Sequence, residues 1–596
     1  MNEQSISILI KRLWIQLSWQ RRMQIVLLLF LMIIASFAEI LSIGAILPFL
    51  LVLTDPGKIF TNPSLQSIIY FMGIEKPEQL LLPITIIFCM AVLIAGNVRL
   101  MLAFASTRLS FLTGMDISGS IYRRTLYQPY CLHLARNSSE VITGIVTKST
   151  GVIFSVIAPC LALISSSLIL FAIFAVLLTI EPTISICTFG GFSFIYLIIV
   201  WLTRKKKSSN SLLIARESTK VMKSLQEGLG GIRDVLIDGN QNIYCQIYKE
   251  ADRPLRLAQS SNQFISQAPR YFVEALGMVL IATLAYTLAQ KSNGVANAIP
   301  MLGVLTLSAQ RMLPLMQQIY SSLTSIQGGI ASLKDTLELL DQALPAHAEQ
   351  PPSKPIPFTQ QLRLNNISFR YSPDSAWIFR NLSLDIEKGS RIGFVGATGS
   401  GKSTLLDVVM CLLETTEGAL EVDGQKLEPC NHRAWQAHIS HVPQAIFLAD
   451  SSIEENIAFG VPKKLINHER VCQVAKQAQI ASSIEAWPQQ YNTLVGERGV
   501  RLSGGQLQRI GIARALYKQS DIIIFDEATS ALDNETEASV MEAIEGLSKE
   551  LTLLIVAHRL TSLKGCSRIV ELSDCGIRRV STYSDFLKNN QLKSFS

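Results

Sequence analysis

The chain has 596 residues, 49% of them hydrophobic and 17% charged, with a net charge of +7. That balance is too apolar for a soluble ATPase or a nucleic-acid-binding domain of this size, and a mean hydropathy of +0.32 points to membrane spans. Ten scattered cysteines, with no CxxC pair and no histidine cluster at metal spacing, argue against a disulfide framework and a zinc site.

In chain order, residues 3–22 mix Ile6, Leu9, Leu13, Trp14 and Trp19 with Lys11, Arg12, Arg21 and Arg22. That pattern predicts an amphipathic helix lying at the membrane interface within residues 1–23. The first apolar run behind it is too long for a signal-peptide core, so an uncleaved N-terminus is expected. Six spans are expected near 24–53, 81–107, 151–179, 183–203, 268–290 and 298–325, within a membrane domain over 24–335. In the loop 54–80, Asn62-Pro63-Ser64 reads as a helix start, with Leu65, Ile68, Ile69, Phe71 and Met72 on one side.

The stretches joining spans two to three and four to five are long and basic, with Arg108, Arg123, Arg124 and Arg136, then Arg204-Lys205-Lys206-Lys207. Basic connections mark the cytoplasmic side and, with six spans, put both termini there. Within spans, Glu39, Arg99, Glu274 and Arg311 interrupt apolar runs, and Arg270 sits at a span end. A charge at mid-membrane costs roughly 2.5–3.5 kcal/mol on insertion scales, so it is kept only when paired or facing a wet cavity. Two readings stand: structural pairs (Glu39 with Arg99, or Glu274 with Arg311), or a cavity for an anion. Three arginines against two glutamates favour the second, since guanidinium grips phosphate through two parallel hydrogen bonds.

Prolines 345, 351, 352, 355 and 357 mark a linker over 336–359, and a separate domain follows over 360–596. There, Gly396-Ala397-Thr398-Gly399-Ser400-Gly401-Lys402-Ser403-Thr404 follows the apolar Ile392–Val395 and opens a helix, which is a P-loop. Its glycines let backbone amides close on phosphate oxygens, and the helix N-terminus adds partial positive charge. Lys402 is expected on the β- and γ-phosphates of ATP, and Ser403 on Mg²⁺. Asp526, ending the apolar run Ile522–Phe525, is expected to hold the ion directly or through water. Glu527 comes next. Between these motifs lies Leu502-Ser503-Gly504-Gly505-Gln506.

P-loop, signature pentapeptide and strand-borne Asp-Glu, in that order, resemble the ATPase domain of ABC transporters. The resemblance implies that Glu527 polarises the attacking water, His558 contacts the γ-phosphate, and Gln444 links magnesium and water to the membrane domain. It further implies that Tyr371 stacks on adenine and that Asp533 belongs to the D-loop. Ser503, Gly504, Gly505 and Gln506 would contact ATP on the P-loop of a partner chain. With one P-loop and one signature per chain, two chains are needed to complete two sites; a homodimer is the simplest closed arrangement, and a heterodimer with a similar half-transporter is the alternative.

The membrane half resembles the exporter class. The implied architecture is an α-helical six-span transmembrane domain fused to an α/β P-loop ABC ATPase domain, with coupling helices near 128–136 and 228–240. Ser36-Phe37-Ala38-Glu39, Val98-Arg99, Ala268-Pro269-Arg270-Tyr271-Phe272-Val273-Glu274 and Gln310-Arg311-Met312-Leu313-Pro314 look like bacterial lipid-linked oligosaccharide flippases. That likeness implies that Arg99, Arg270 and Arg311 handle the pyrophosphate of a polyprenyl-linked sugar. The external helix is expected either to meet a polyprenyl tail at the bilayer or to pack on the exporter's outer end, and the half-transporter form without a targeting sequence is expected in a bacterial inner membrane with the ATPase domain in the cytoplasm. An exporter of another lipid, a drug or a peptide is the alternative reading.

Overall fold

The structure is a computed structural model that describes residues 6–54, 57, 60, 76–180, 182–289, 294–345, 348, 354–496, 499–527, 534–546, 548, 550–557, 559–573 and 576–593. The expected external helix after Asn62, His558 and Asp533 lie outside the described residues. The chain divides into two compact units, one of residues 1–128 and 136–344, the other of 129–135 and 345–596.

The first unit is helical. Its long helices are Trp19–Gly44, Leu81–Leu126, Ala158–Ile180, Pro182–Gly230, Gln241–Ala289 and Gly294–Leu340. Among the described residues, three stretches are long and apolar enough to cross a membrane: Trp19–Leu53, Leu81–Leu126 and Ser138–Thr179. The helices of 46 to 49 residues rise about 70 Å, more than twice a hydrocarbon core of roughly 30 Å, so a large part of each stands outside the bilayer. Phe30, Phe37, Leu100, Phe104, Phe171, Phe194 and Trp201 are exposed along them, as expected of side chains that meet lipid. Where helices approach closely, small residues make the room. A Cβ on Gly114 would fall 1.9 Å from Ile153 Cδ1, and one on Gly329 would fall 2.5 Å from Ser155 Cβ.

The N-terminal helix Ile6–Gln16 turns Leu9 and Leu13 onto Leu333, Leu337 and Leu340. Asp341 pairs with Arg12 and accepts from Gln16 at 3.1 Å. Each buried leucine contributes about 1.5–3 kcal/mol, so one side of this helix is held by protein. Ile8, Trp14 and Ile15 remain exposed on the others. The short helix Ile232–Ile237 follows the Gly230-Gly231 break in the first unit, whereas Tyr130–Ala135 belongs to the second, where Tyr130 packs on the core.

The second unit contains two sheets. The first is antiparallel, in the order β2 (Phe379–Glu387), β1 (Gln361–Phe369), β4 (Glu417–Val422), β5 (Gln425–Lys426). The second runs β10 (Gly576–Ser581), β9 (Arg568–Ser573), β3 (Arg391–Gly396), β8 (Thr552–Val556), β7 (Ile522–Asp526), β6 (Ile439–Val442). All neighbours in it are parallel except β10 with β9. Residues 552–556 of β8 and 522–525 of β7 are buried throughout, which is why they read as unbroken apolar runs. The linker is pinned to this unit: Ile356 O lies 2.6 Å from His438 Nε2, and Lys388 donates to Phe358 O at 2.9 Å.

Candidate ATP site and membrane charge cluster

Parallel strand order decides where the ATPase motifs meet. β3, β8, β7 and β6 run the same way, so the P-loop, Ala557, Asp526-Glu527 and Pro443-Gln444 all leave one edge of the sheet, the edge where open α/β sheets bind ligands. Gly401 takes φ +86° and begins the helix Lys402–Val409, and a Cβ there would lie 2.7 Å from Ile378 Cγ2. A Cβ on Gly396 would lie 2.5 Å from Leu572 O. Both positions therefore need glycine for the loop to close.

Lys402 is buried, and its ammonium donates to the carbonyls of Gly396 and Ala397, each at 2.9 Å. Ser400 Oγ is buried without a hydrogen-bond partner. A glycine-rich loop with a buried lysine and an orphaned hydroxyl suits a phosphate chain. Tyr371 OH lies 3.1 Å from Thr404 Oγ1, which brings the expected base-stacking ring to the start of the same helix.

Ser403 Oγ donates to Asp526 Oδ1 at 3.3 Å, so the two hard oxygen donors expected for Mg²⁺ sit side by side. Burial pushes the Asp526 carboxyl up, partly offset by the Ser403 bond. Gln444 Nε2 donates to Glu527 Oε2 at 2.8 Å. Glu527 itself has φ +50°, with its amide on Val556 O at 3.0 Å. A non-glycine residue in the left-handed region costs of order 1 kcal/mol, and such strain concentrates at functional sites.

The signature residues form a capped helix start. Ser503 Oγ accepts from Gln506 N at 3.3 Å, and Gln506 Oε1 accepts from Ser503 N at 2.9 Å, a capping box on the helix Gly504–Tyr517. Ser503 and Gly504 are exposed, which leaves the positive helix end open to an anion. Behind them, Arg514 anchors the helix to the carbonyls of Asn456 and Phe447, each at 2.9 Å.

In the membrane unit the three arginines divide. Arg270 pairs with Glu274 one turn along its own helix, at 2.7 Å. Glu39 is 1% exposed and serves both other arginines: Arg311 hydrogen-bonds to Oε1, and Arg99 Nη1 lies 3.7 Å from Oε2. The expected alternative pair of Glu274 with Arg311 is thus replaced. An i,i+4 partner satisfies Glu274, and the helix Trp19–Gly44 brings Glu39 to Arg311.

A model of the ABC transporter family matches residues 379–530, and a model of the ABC transporter transmembrane region matches residues 23–314. The ABC transporter ATP-binding protein YwjA of Bacillus subtilis is 30% identical over 432 residues, 71% of this chain and 72% of its own. The chain belongs to the ABC transporter family. It is a half-transporter of the exporter type, and its ATPase domain couples ATP hydrolysis to transport. An ATP-dependent lipid A-core flippase of Alkalilimnicola ehrlichii is 31% identical to the transporter over 374 residues, 61% of this chain and 62% of that one. A bacterial Atm1-family ABC exporter solved with ATP bound has the same fold, with a TM-score of 0.75, 22% identity and 96% of each chain covered.

One neighbour of the transporter's ATP site is not legible from motifs. Asp407, on the P-loop helix, is pushed up to about 6 from an ordinary 3.8 by burial and by the nearby Asp526 charge. Because its folded value lies above its unfolded one, its favourable contribution is present below about pH 3.8 and is lost as pH rises through about 6. At neutral pH the ionised group opposes folding. Asp407→Asn is therefore expected to stabilise the transporter at pH 7 by on the order of 1 kcal/mol, with the gain vanishing toward pH 4. Thermal unfolding across that range checks this, and equal melting temperatures at pH 7 would sink it.

Proposed function

We propose that the transporter is a homodimeric flippase for an anionic lipid-linked oligosaccharide of the polyprenyl-pyrophosphate type. It works in a bacterial inner membrane, with its ATPase domains and termini in the cytoplasm. The observation that carries the cargo is the charge balance around Glu39. One buried carboxylate answers two guanidiniums and Arg270 is neutralised by Glu274, so a net positive charge resides at Arg99 and Arg311. Likeness to a lipid A-core flippase supports a cargo carried on lipid. Among the alternatives of another lipid, a drug or a peptide, it favours another lipid.

In the ATP site, Lys402 and the loop amides take the β- and γ-phosphates, and Tyr371 stacks on the base. Ser403, Asp526 and Gln444 hold Mg²⁺, which supplies charge neutralisation on the phosphate oxygens when bound. Glu527, held by Gln444, orients and deprotonates the attacking water. His558 contacts the γ-phosphate, and Asp533 takes its D-loop place. The partner's copy of the signature segment closes over the ATP. Closure of the dimer opens the cavity outward, and hydrolysis resets it.

The deciding experiment reconstitutes the transporter in liposomes with polyprenyl-pyrophosphate oligosaccharide and follows which leaflet holds the sugar. ATP-dependent movement is expected. ATP hydrolysis without movement would move the reading to another cargo.

Arg311→Ala is expected to lower movement of the sugar, and it also leaves Glu39 buried with one distant partner. Removing one member of a buried pair costs about 3–5 kcal/mol. Pairing it with Glu39→Gln is expected to restore much of the stability while sugar movement stays low. Normal movement in the double variant would return Arg311 to a purely structural role.

A further inference from the structure

Inside the membrane unit lies a polar cavity of about 540 Å³ that shares no residue with the charge cluster. Its walls come from the helices Pro182–Gly230, Gln241–Ala289 and Gly294–Leu340 and from residues 147–155. Around that last wall the chain makes two π-helical stretches, Gly144–Lys148 and Ile153–Ile157. Single π turns are uncommon and gather at functional sites, because they re-aim side chains at the expense of regular helix bonding. Here they bring Lys148 and Ser155 to the cavity.

The lining holds Lys148, Lys207 and Arg256 and no aspartate or glutamate. Lys148 is answered by Asp335 at 2.6 Å, and Arg256 by Asp252 at 3.1 Å. Lys207 has no such partner among the described residues. It is 2% exposed, and its ammonium meets only the Thr324 carbonyl, at 3.4 Å. A buried ammonium with one weak neutral acceptor is strongly unfavourable unless an anion joins it.

A second donor is aimed at the same space. Asn210 Nδ2 donates to Asn262 Oδ1 at 2.9 Å, which leaves the Asn262 amide nitrogen as the free end. That nitrogen is 3.5 Å from where a Cβ on Gly328 would stand, an ordinary van der Waals contact, and both residues line the cavity.

We infer that this cavity binds the phosphate or carboxylate group of an anionic ligand, on the Lys207 ammonium and the Asn262 amide. It is a station distinct from Arg99 and Arg311. Thr324 stands thirteen residues beyond Arg311 on the same helix, or about 20 Å of rise, toward the end that leads into the ATPase domain. Anion binding here does not depend on which glycan the transporter carries, so its test is independent of the leaflet assay.

The test is calorimetric titration of the full-length transporter in phosphatidylcholine nanodiscs, with the ATP sites filled by ADP. Farnesyl pyrophosphate and free inorganic pyrophosphate are the two probes. Saturable binding of at least one is expected. Lys207→Gln and Asn262→Leu should each weaken it about tenfold or more, the loss expected when a hydrogen bond to a charged group goes. Lys207→Arg should retain it. Lys220→Gln should leave it unchanged, since Lys220 lies on the same helix but is already paired with Glu217 at 2.7 Å. Binding of the farnesyl probe alone assigns the site to a lipid headgroup, and binding of both assigns it to a soluble anion. Unchanged affinity in Lys207→Gln and Asn262→Leu overturns the proposal, as does absence of saturable binding to the unaltered transporter. Asn262→Leu decides the matter if Lys207→Gln does not fold.

Discussion

Replacing Glu527 by glutamine is expected to leave ATP binding intact and to lower steady turnover by about 10²–10⁴-fold, the range attached to a positioned general base. The substitution preserves size, so the backbone at φ +50° and the amide bond to Val556 O need not move. What changes is proton affinity. A neutral amide cannot accept the water's proton, and its oxygen still takes the hydrogen bond that Gln444 Nε2 makes at 2.8 Å. Nucleotide binding followed by fluorescence and phosphate release followed over time separate the two effects. Turnover within tenfold of the unaltered transporter would falsify the assignment of Glu527 as the base.

Lys402→Ala is expected to act earlier, weakening ATP binding by about 10²-fold or more and abolishing measurable hydrolysis. The lysine is buried beneath the loop, where it bridges two backbone carbonyls at 2.9 Å. On binding, it is expected to exchange those neutral acceptors for phosphate oxygens, and charge-assisted bonds are roughly twice as strong. Alanine loses the phosphate contact and strands two loop carbonyls as well. Direct binding of labelled ATP checks the result. Affinity within threefold of the unaltered transporter would mean that the loop amides alone carry the phosphates.

Much of the ATP site was legible because its chemistry is written in contiguous residues. Gly396 through Lys402 build one loop, Asp526 and Glu527 end one strand, and Ser503 and Gln506 cap one helix. Local spacing and backbone geometry suffice there, since each group is placed by neighbours a few residues away. Gln444 was named by motif, but its contact with Glu527 spans 83 residues and depends on β6 lying beside β7.

The membrane half behaves differently. Hydropathy and basic connections indicated spans, and composition alone singled out Glu39, Arg99, Glu274 and Arg311 as residues that need an explanation. Which of them pair is a matter of helix packing. Glu39 and Arg311 are 272 positions apart and meet because two helices present them at one depth. Lys207 shows the same limit: in the sequence it is the last of four basic residues and reads as part of a solvated, basic connection, yet it is 2% exposed and faces a cavity. The family, the order of the domains and the presence of a phosphate loop were readable from short-range pattern alone. Which buried charges are answered and which are not is set by packing, because a charge's cost depends on what distant parts of the chain bring within a few ångströms of it.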